Sequence, residues 1–221
     1  MKITKHGQSC LLVETKSGKI LIDPGSFVFN EEGLSADKFM DIDVMLFTHE
    51  HSDHFDIENV KKIIDANKSK VIACATVCDA LKQENIEINI VEAEVGKSYD
   101  FDDFSVKAYK STHGPLPTGA EPPEVIGFKI EENGEKSMYS PGDTIELAET
   151  GADLIAVPIC GQVVLSIKEA KAELIEQKPE IAIPIHYDNP RFPVDVRDFV
   201  EAMKDTNVEV KALGWCESIV I

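Results

Sequence analysis

Apolar positions along the chain follow two periods. Cys10–Thr15 (CLLVET) and Lys19–Asp23 (KILID) are short apolar runs split by Lys16-Ser17-Gly18, which predicts two strands joined by a tight turn. Val44–Thr48 (VMLFT) is a continuous apolar run of strand length, the pattern of a strand buried on both faces. Ile57–Ala66 places apolar residues at 57, 60, 63 and 64, which is helical spacing. Val71–Ala75 reads as a strand and Thr76 to Glu84 as a short helix. Roughly 88–140 is strand-rich: Phe104–Ser111 alternates, and Val125–Ile130 and Ser137–Ser140 flank the turn signal Asn133-Gly134. The last third alternates strand Leu154–Pro158, helix Ser166–Gln177, strand Ile181–Ile185 and helix Val194–Met203, then strands near Val208–Ala212 and Ser218–Ile221. Ser166 with Glu169 makes a capping box. The pattern predicts an α+β or α/β fold, and two mixed sheets with helices packed outside satisfy it. Periodicity alone leaves other α/β arrangements open.

Composition narrows the partners. The chain has 221 residues, 43% apolar and 28% charged, which predicts one folded domain over 1–221. It carries 22 Lys and Arg against 40 Asp and Glu, a formal charge of −18. So acidic a surface repels phosphate backbones and anionic lipid, and disfavours nucleic acid or a membrane as partner. No apolar run reaches the roughly 18 residues that span a bilayer. The start, MKITKHGQSC, lacks the charged-then-apolar pattern of a signal peptide, so a cytoplasmic protein is expected. The five cysteines are odd in number and widely spaced, and most sit in apolar surroundings (IACAT, VPICG). Buried structural thiols are the expected reading.

The chemistry concentrates in Thr48-His49-Glu50-His51-Ser52-Asp53-His54, directly after the buried strand and before a helix. Three of the chain's six histidines fall within these few residues. Imidazole is the commonest protein ligand for first-row metals, and a carboxylate adds charge to the same site. Alternate residues of an extended turn point the same way, so His49 and His51 can grip one ion while Asp53 and His54 face a neighbouring one. His113, Asp143 and His186 each stand where a predicted strand gives way to a loop, the usual place for ligand-binding groups in α/β proteins.

The set His49-x-His51-x-Asp53-His54, then His113, Asp143 and His186, resembles the full signature of the metallo-β-lactamase superfamily, in the same order along the chain. Asp23, in Leu21-Ile22-Asp23-Pro24-Gly25, is similar to the family's early aspartate, which supports the metal site without ligating. His6-Gly7-Gln8-Ser9 and the short length resemble the branch of small metal-dependent hydrolases that includes L-ascorbate-6-phosphate lactonase-like proteins.

The resemblance implies a four-layer αββα sandwich with metals at one edge of two sheets. It assigns His49, His51 and His113 to one metal, Asp53, His54 and His186 to a second, and Asp143 to both. It implies two divalent metal ions, zinc first, with manganese or iron admitted by the carboxylates. Two such ions lower the pKa of a bridging water, and the hydroxide cleaves an ester, lactone or phosphodiester in a small polar molecule. Asp53 is the expected catalytic residue, orienting the water or shuttling its proton. Position 143 is not cysteine and position 54 is not arginine, which disfavours a zinc β-lactamase; His51, where the di-iron branch carries glutamate, disfavours redox chemistry.

Three features carry weaker expectations. The proline-rich stretch 114–123 is a candidate rim loop. Arg191 could clamp an anionic group, and Tyr187 could donate to an oxyanion. Two other functions stay open: a metal-binding sensor with little hydrolysis, and a nucleic-acid phosphodiesterase. A homo-oligomer also stays open.

Overall fold

The structure, a computed structural model, describes residues 1–86, 89–189 and 192–221. Three antiparallel strands come first: β1 (Lys2–Lys5), β2 (Leu11–Glu14) and β3 (Lys19–Ile22). A short helix α1 (Ser26–Asn30) leads to β4 (Val44–Phe47). Parallel crossovers follow through α2 (Ile57–Asn67), β5 (Lys70–Ala73), α3 (Ala75–Gln83) and β6 (Ile90–Glu92). The centre is antiparallel: β7 (Ser98–Asp100), β8 (Phe104–Ser111), β9 (Val125–Glu132) and β10 (Ser137–Ser140). The last third alternates β11 (Leu154–Pro158), α4 (Ile167–Gln177), β12 (Ile181–Ile185), α5 (Val196–Met203), β13 (Glu209–Val210) and β14 (Ser218–Val220).

These strands form two seven-stranded sheets, ordered β14-β1-β2-β3-β4-β5-β6 and β13-β12-β11-β10-β9-β8-β7. In each, an antiparallel half adjoins a parallel half, so both are mixed. One apolar core joins Val60 and Ile63 of α2 and Val77 and Leu81 of α3 through the first sheet to Val106, Phe128 and Met138 of the second. A smaller core joins Ile155, Val157 and Ala182 of the second sheet to Leu174 of α4 and Phe199 of α5. Along β11, Leu154 and Ala156 enter the first core while Ile155 and Val157 enter the second. A strand's alternating side chains thus bury both of its faces. The result is helix, sheet, sheet, helix, the expected four-layer αββα sandwich.

Local signals explain most elements. All four residues of β4 are fully buried. Helix α2 buries Val60, Ile63 and Ile64, and its N-cap Asp56 accepts from the Asn59 amide. The capping box of Ser166 and Glu169 opens α4. Some bounds shift. The helix expected from Val194 starts at Val196, because Asp195 caps it. The strand expected over Val208–Ala212 shrinks to β13, whose two residues pair with β12. Strand β1 was not expected, because its last residue is Lys5, an ammonium-bearing side chain that is fully buried. Its charge is matched by Asp188 at 2.7 Å.

The topology gathers strand ends at one edge. Strands β8 and β10 both run antiparallel to β9, and β10, β11 and β12 run parallel to one another. The C-terminal ends of β8, β10 and β12 therefore share one side of the second sheet. Those ends carry His113, Asp143 and His186.

Candidate metal centre

The His49–His54 turn leaves the C-terminal end of β4, beside the end of the parallel strand β3 where Asp23 stands. Asp23 organises the turn. Its Oδ1 accepts the Thr48 amide at 2.8 Å, and its Oδ2 accepts the Thr48 hydroxyl at 2.7 Å and His54 Nδ1 at 2.9 Å. Gly25 lets the next segment pass close. A Cβ there would lie 1.9 Å from the Asp53 carbonyl oxygen, so no larger residue fits.

All seven predicted residues come together, in two groups. His49, His51, His113 and Asp143 bring their ligating atoms within 4.8 Å of one another, and Asp53, His54 and His186 form a second group on the same criterion. Asp143 reaches both. Its Oδ1 is 3.1 Å from His54 Nε2, and its Oδ2 is 3.2 Å from His186 Nε2, 3.6 Å from His113 Nε2 and 3.9 Å from His49 Nε2. His49 Nε2 and His51 Nδ1 are 3.2 Å apart.

Neighbouring acceptors fix which ring nitrogen faces the centre. His113 Nδ1 donates to the Gly114 carbonyl at 2.7 Å. The Thr48 hydroxyl already donates to Asp23, so at 3.0 Å it accepts from His49 Nδ1. The Cys160 thiol donates to the Gly161 carbonyl, and its sulfur lies 3.2 Å from His186 Nδ1. With His54 Nδ1 on Asp23, four imidazoles turn Nε2 inward, the nitrogen that an ion would take. His54 Nε2, His113 Nε2 and Asp143 Oδ1 are buried and make no hydrogen bond. Buried groups left this way are costly. Five imidazoles and two carboxylates converging on one spot fit divalent cations.

The electrostatics of the bare chain point the same way. Burial pushes His49 well below the ordinary histidine range, with the charge of His54 adding to it. Burial and His113 likewise lower His51. Burial opposes charging of His54, but the negative charge of Asp143 outweighs it and pushes that group up to about 10. His186 is raised against the same burial, again by Asp143. Burial also opposes ionisation of Asp53 and Asp143, yet His186 and His54 hold both well below the usual carboxylate range. Protons therefore occupy His54 and His186 in the bare chain.

The centre forms the floor of a cleft of about 580 Å³. Phe27, Leu116, Val163 and Phe192 supply apolar wall, and Glu31 adds an acid. Leu116 and Pro117 come from the proline-rich stretch 114–123, which thus reaches the cleft. Tyr187 does not line it: its hydroxyl donates to the Leu213 carbonyl at 2.9 Å and its ring lies under Lys5. The hydroxyl is committed to the backbone and not free for an oxyanion. Arg191 lies outside the described residues.

Sequence reasoning missed the supporting groups. Gln8 Nε2 donates to Asp53 Oδ2 at 3.1 Å, and the Gln8 carbonyl accepts the His186 amide at 3.3 Å. Thr48 and Cys160 orient His49 and His186. Three cysteines, Cys10, Cys74 and Cys78, are buried as expected, but Cys160 is half-buried and Cys216 exposed. The available signal was position: Thr48 opens the histidine-rich stretch, and Gln8 lies within His6-Gly7-Gln8-Ser9.

The domain described as "Beta-lactamase superfamily domain" matches residues 2–186. The chain belongs to the metal-dependent hydrolases of the β-lactamase superfamily. It is 30% identical to a UPF0173 metal-dependent hydrolase of Carboxydothermus hydrogenoformans, over all of both chains. A UPF0173 protein of Pyrococcus furiosus is 34% identical, over 85% of this chain and 83% of its own. Among solved structures, the metallo hydrolase Igni18 of Ignicoccus hospitalis superposes with a TM-score of 0.82 at 22% identity, covering 99% of this chain and 97% of its own. That likeness is one of fold, and it agrees with the four layers described above. Among the described residues, no helix of this β-lactamase superfamily member is long and apolar enough to cross a membrane.

Proposed function

We propose that the seven residues hold two divalent metal ions, zinc first, and that the protein hydrolyses an ester, lactone or phosphodiester bond in a small polar molecule. The placement of Asp143 carries this reading. One of its oxygens faces His54 while the other faces His113, His49 and His186, so a single carboxylate serves both groups. When bound, the ions lower the pKa of a water and polarise the oxygen of the bond under attack.

The chain's own residues do the rest. Gln8 anchors Asp53 through Oδ2, which leaves Oδ1 to orient the attacking water and pass its proton outward. The apolar walls exclude water around the scissile bond. Glu31 and a net charge of −18 repel an extended polyanion, which supports a small substrate over nucleic acid. The resemblance of His6-Gly7-Gln8-Ser9 to the lactonase-like branch makes a lactone the first compound to try. Five free cysteines suit the reducing cytoplasm.

Elemental analysis of protein purified without added metal, run beside a chromogenic ester, lactone and phosphodiester panel, tests this. About two ions per chain are expected, with turnover lost on chelation and restored by the ion removed. No retained metal and no turnover after reconstitution would overturn hydrolysis in favour of a binding role.

A further inference from the structure

A second cluster of ligating groups stands apart from the cleft. His6 follows β1, Glu32 follows α1, and Cys216 sits in the turn before β14. Their donor atoms lie within 4.8 Å of one another, and none of the three residues lines the cleft. Glu32 Oε1 is 3.0 Å from His6 Nδ1 and 3.0 Å from Cys216 Sγ, and Sγ is 3.9 Å from His6 Nδ1. Zinc bonds of about 2.0 Å to N or O and 2.3 Å to S, at tetrahedral angles, require ligand separations of about 3.3–3.5 Å. The observed triangle meets this with shifts of a few tenths of an ångström.

The frame around the triangle is already built. Glu32 Oε2 accepts the Gly7 amide at 2.9 Å, which leaves Oε1 pointing at the other two groups. The Cys216 amide donates to the Lys5 carbonyl at 2.8 Å, so the cysteine is tied to the residue before His6. The His6 and Phe39 rings pack edge to face, with centroids 5.3 Å apart. His6 and Glu32 present buried side chains, whereas Cys216 faces solvent.

We propose that His6, Glu32 and Cys216 form a cation site separate from the cleft, one that takes a thiophilic divalent ion, zinc first. A neutral imidazole, a carboxylate and a thiolate carry two negative charges, which a divalent ion cancels. Soft sulfur selects zinc or cobalt over magnesium or calcium. Three protein ligands leave a fourth position at the solvent edge for water. The hydrogen bond to Glu32 pushes the Cys216 thiol up to about 11 in the bare chain, and a cation placed between the two would favour the thiolate instead. Without an ion, the same contacts are hydrogen bonds from His6 and Cys216 to Glu32, and this is the competing account.

Cobalt(II) titration separates the two. The cleft's seven residues contain no sulfur, so a near-ultraviolet sulfur-to-cobalt charge-transfer band reports on a cysteine outside that set, and the variants identify which. The site predicts a saturable band that zinc(II) bleaches. The band is lost in Cys216→Ser, weakened in Glu32→Gln, and kept in His51→Ala, which removes a cleft residue. Cys160→Ser keeps it too, which shows that the sulfur beside His186 is not its source. Cys216 is exposed, so its variant leaves the core intact, and circular dichroism checks the fold. No band in excess cobalt, or a band that survives Cys216→Ser, would overturn the proposal. Neither result bears on hydrolysis in the cleft.

Discussion

One turn supplies four of the seven converging residues, whereas the second sheet supplies three, one from each of three strand ends. The turn is wired to itself and to its neighbours. His51 accepts the amides of His54 and Phe55 at 2.8 and 2.9 Å, the Ser52 carbonyl accepts the Ser26 amide at 2.8 Å, and Asp23 clasps both Thr48 and His54. His113 and Asp143 are tied across two strand ends, where the Ile145 amide donates to the Thr112 carbonyl at 2.9 Å, but they do not share one turn. Their spacing, and that of His186, comes from the register of β8, β10 and β12, and from the stacking of one sheet on the other. Gly142 shows how close that stacking is: its φ is +67°, and a Cβ on it would fall 2.6 Å from the Thr48 Cβ. Half of the centre is thus set by local chain geometry and half by tertiary packing.

The hardest blow to both halves at once is Asp143→Ala. It removes the one carboxylate that faces both groups. We expect turnover to fall about a thousandfold or more, since several kcal/mol of transition-state stabilisation depend on the ions. Elemental analysis should show both ions weakened. If one full ion remains with activity intact, Asp143 does not join the halves. His51→Ala and His113→Ala then compare them directly. Both residues belong to the same group, one from the turn and one from the sheet. Each should lose one ion and about a hundredfold or more in turnover. A His113→Ala variant that keeps two ions would show that the turn suffices alone.

The same division explains what could be read from the chain before its structure. His49, His51, Asp53 and His54 lie within six positions, so their spacing alone marks a candidate metal site. His113, Asp143 and His186 lie far apart: their places at predicted strand ends made them candidates, and the family resemblance joined them to the turn. The fold was legible where runs were long or capped, as in β4, α2 and α4. It was not legible in β1, where buried Lys5 breaks the apolar pattern and finds its partner Asp188 across 183 positions. Gln8, Thr48 and Cys160 escaped notice because a side chain's partner depends on register, which no local pattern states. His6, Glu32 and Cys216 are the extreme case: 184 positions separate the cysteine from the glutamate it touches.

Smaller effects come from the groups behind the ligating rings. Thr48→Val removes the acceptor of His49 Nδ1 and a donor to Asp23, within the turn. Cys160→Ala removes the group behind His186 Nδ1, on the sheet side. Loss of such supports costs about 10–100-fold in metal affinity. Thr48→Val should fall at the upper end, because Asp23 also loses a buried hydrogen bond. Cys160→Ala should fall at the lower end, because sulfur is a weak acceptor. Competition with a chromophoric chelator measures both. Equal losses would mean that the turn is no more tightly wired than the sheet side.

The smallest and most discriminating signal is the proton count. Burial keeps His49 and His51 neutral at pH 7–8, whereas Asp143 keeps His54, pushed up to about 10, and His186 protonated in the bare chain. An ion needs the unprotonated Nε2 in every case. Loading the group that contains His49 and His51 should therefore draw no proton from either. Loading the group of Asp53, His54 and His186 should release about two protons. The sign follows directly: affinity of the second group rises as pH rises toward 10, because fewer protons remain to displace, while affinity at His49 and His51 stays flat over the same range. Calorimetric titration in buffers of different ionisation enthalpy separates the two phases. Equal proton release in both would show that Asp143 does not divide the histidines into a neutral and a charged set.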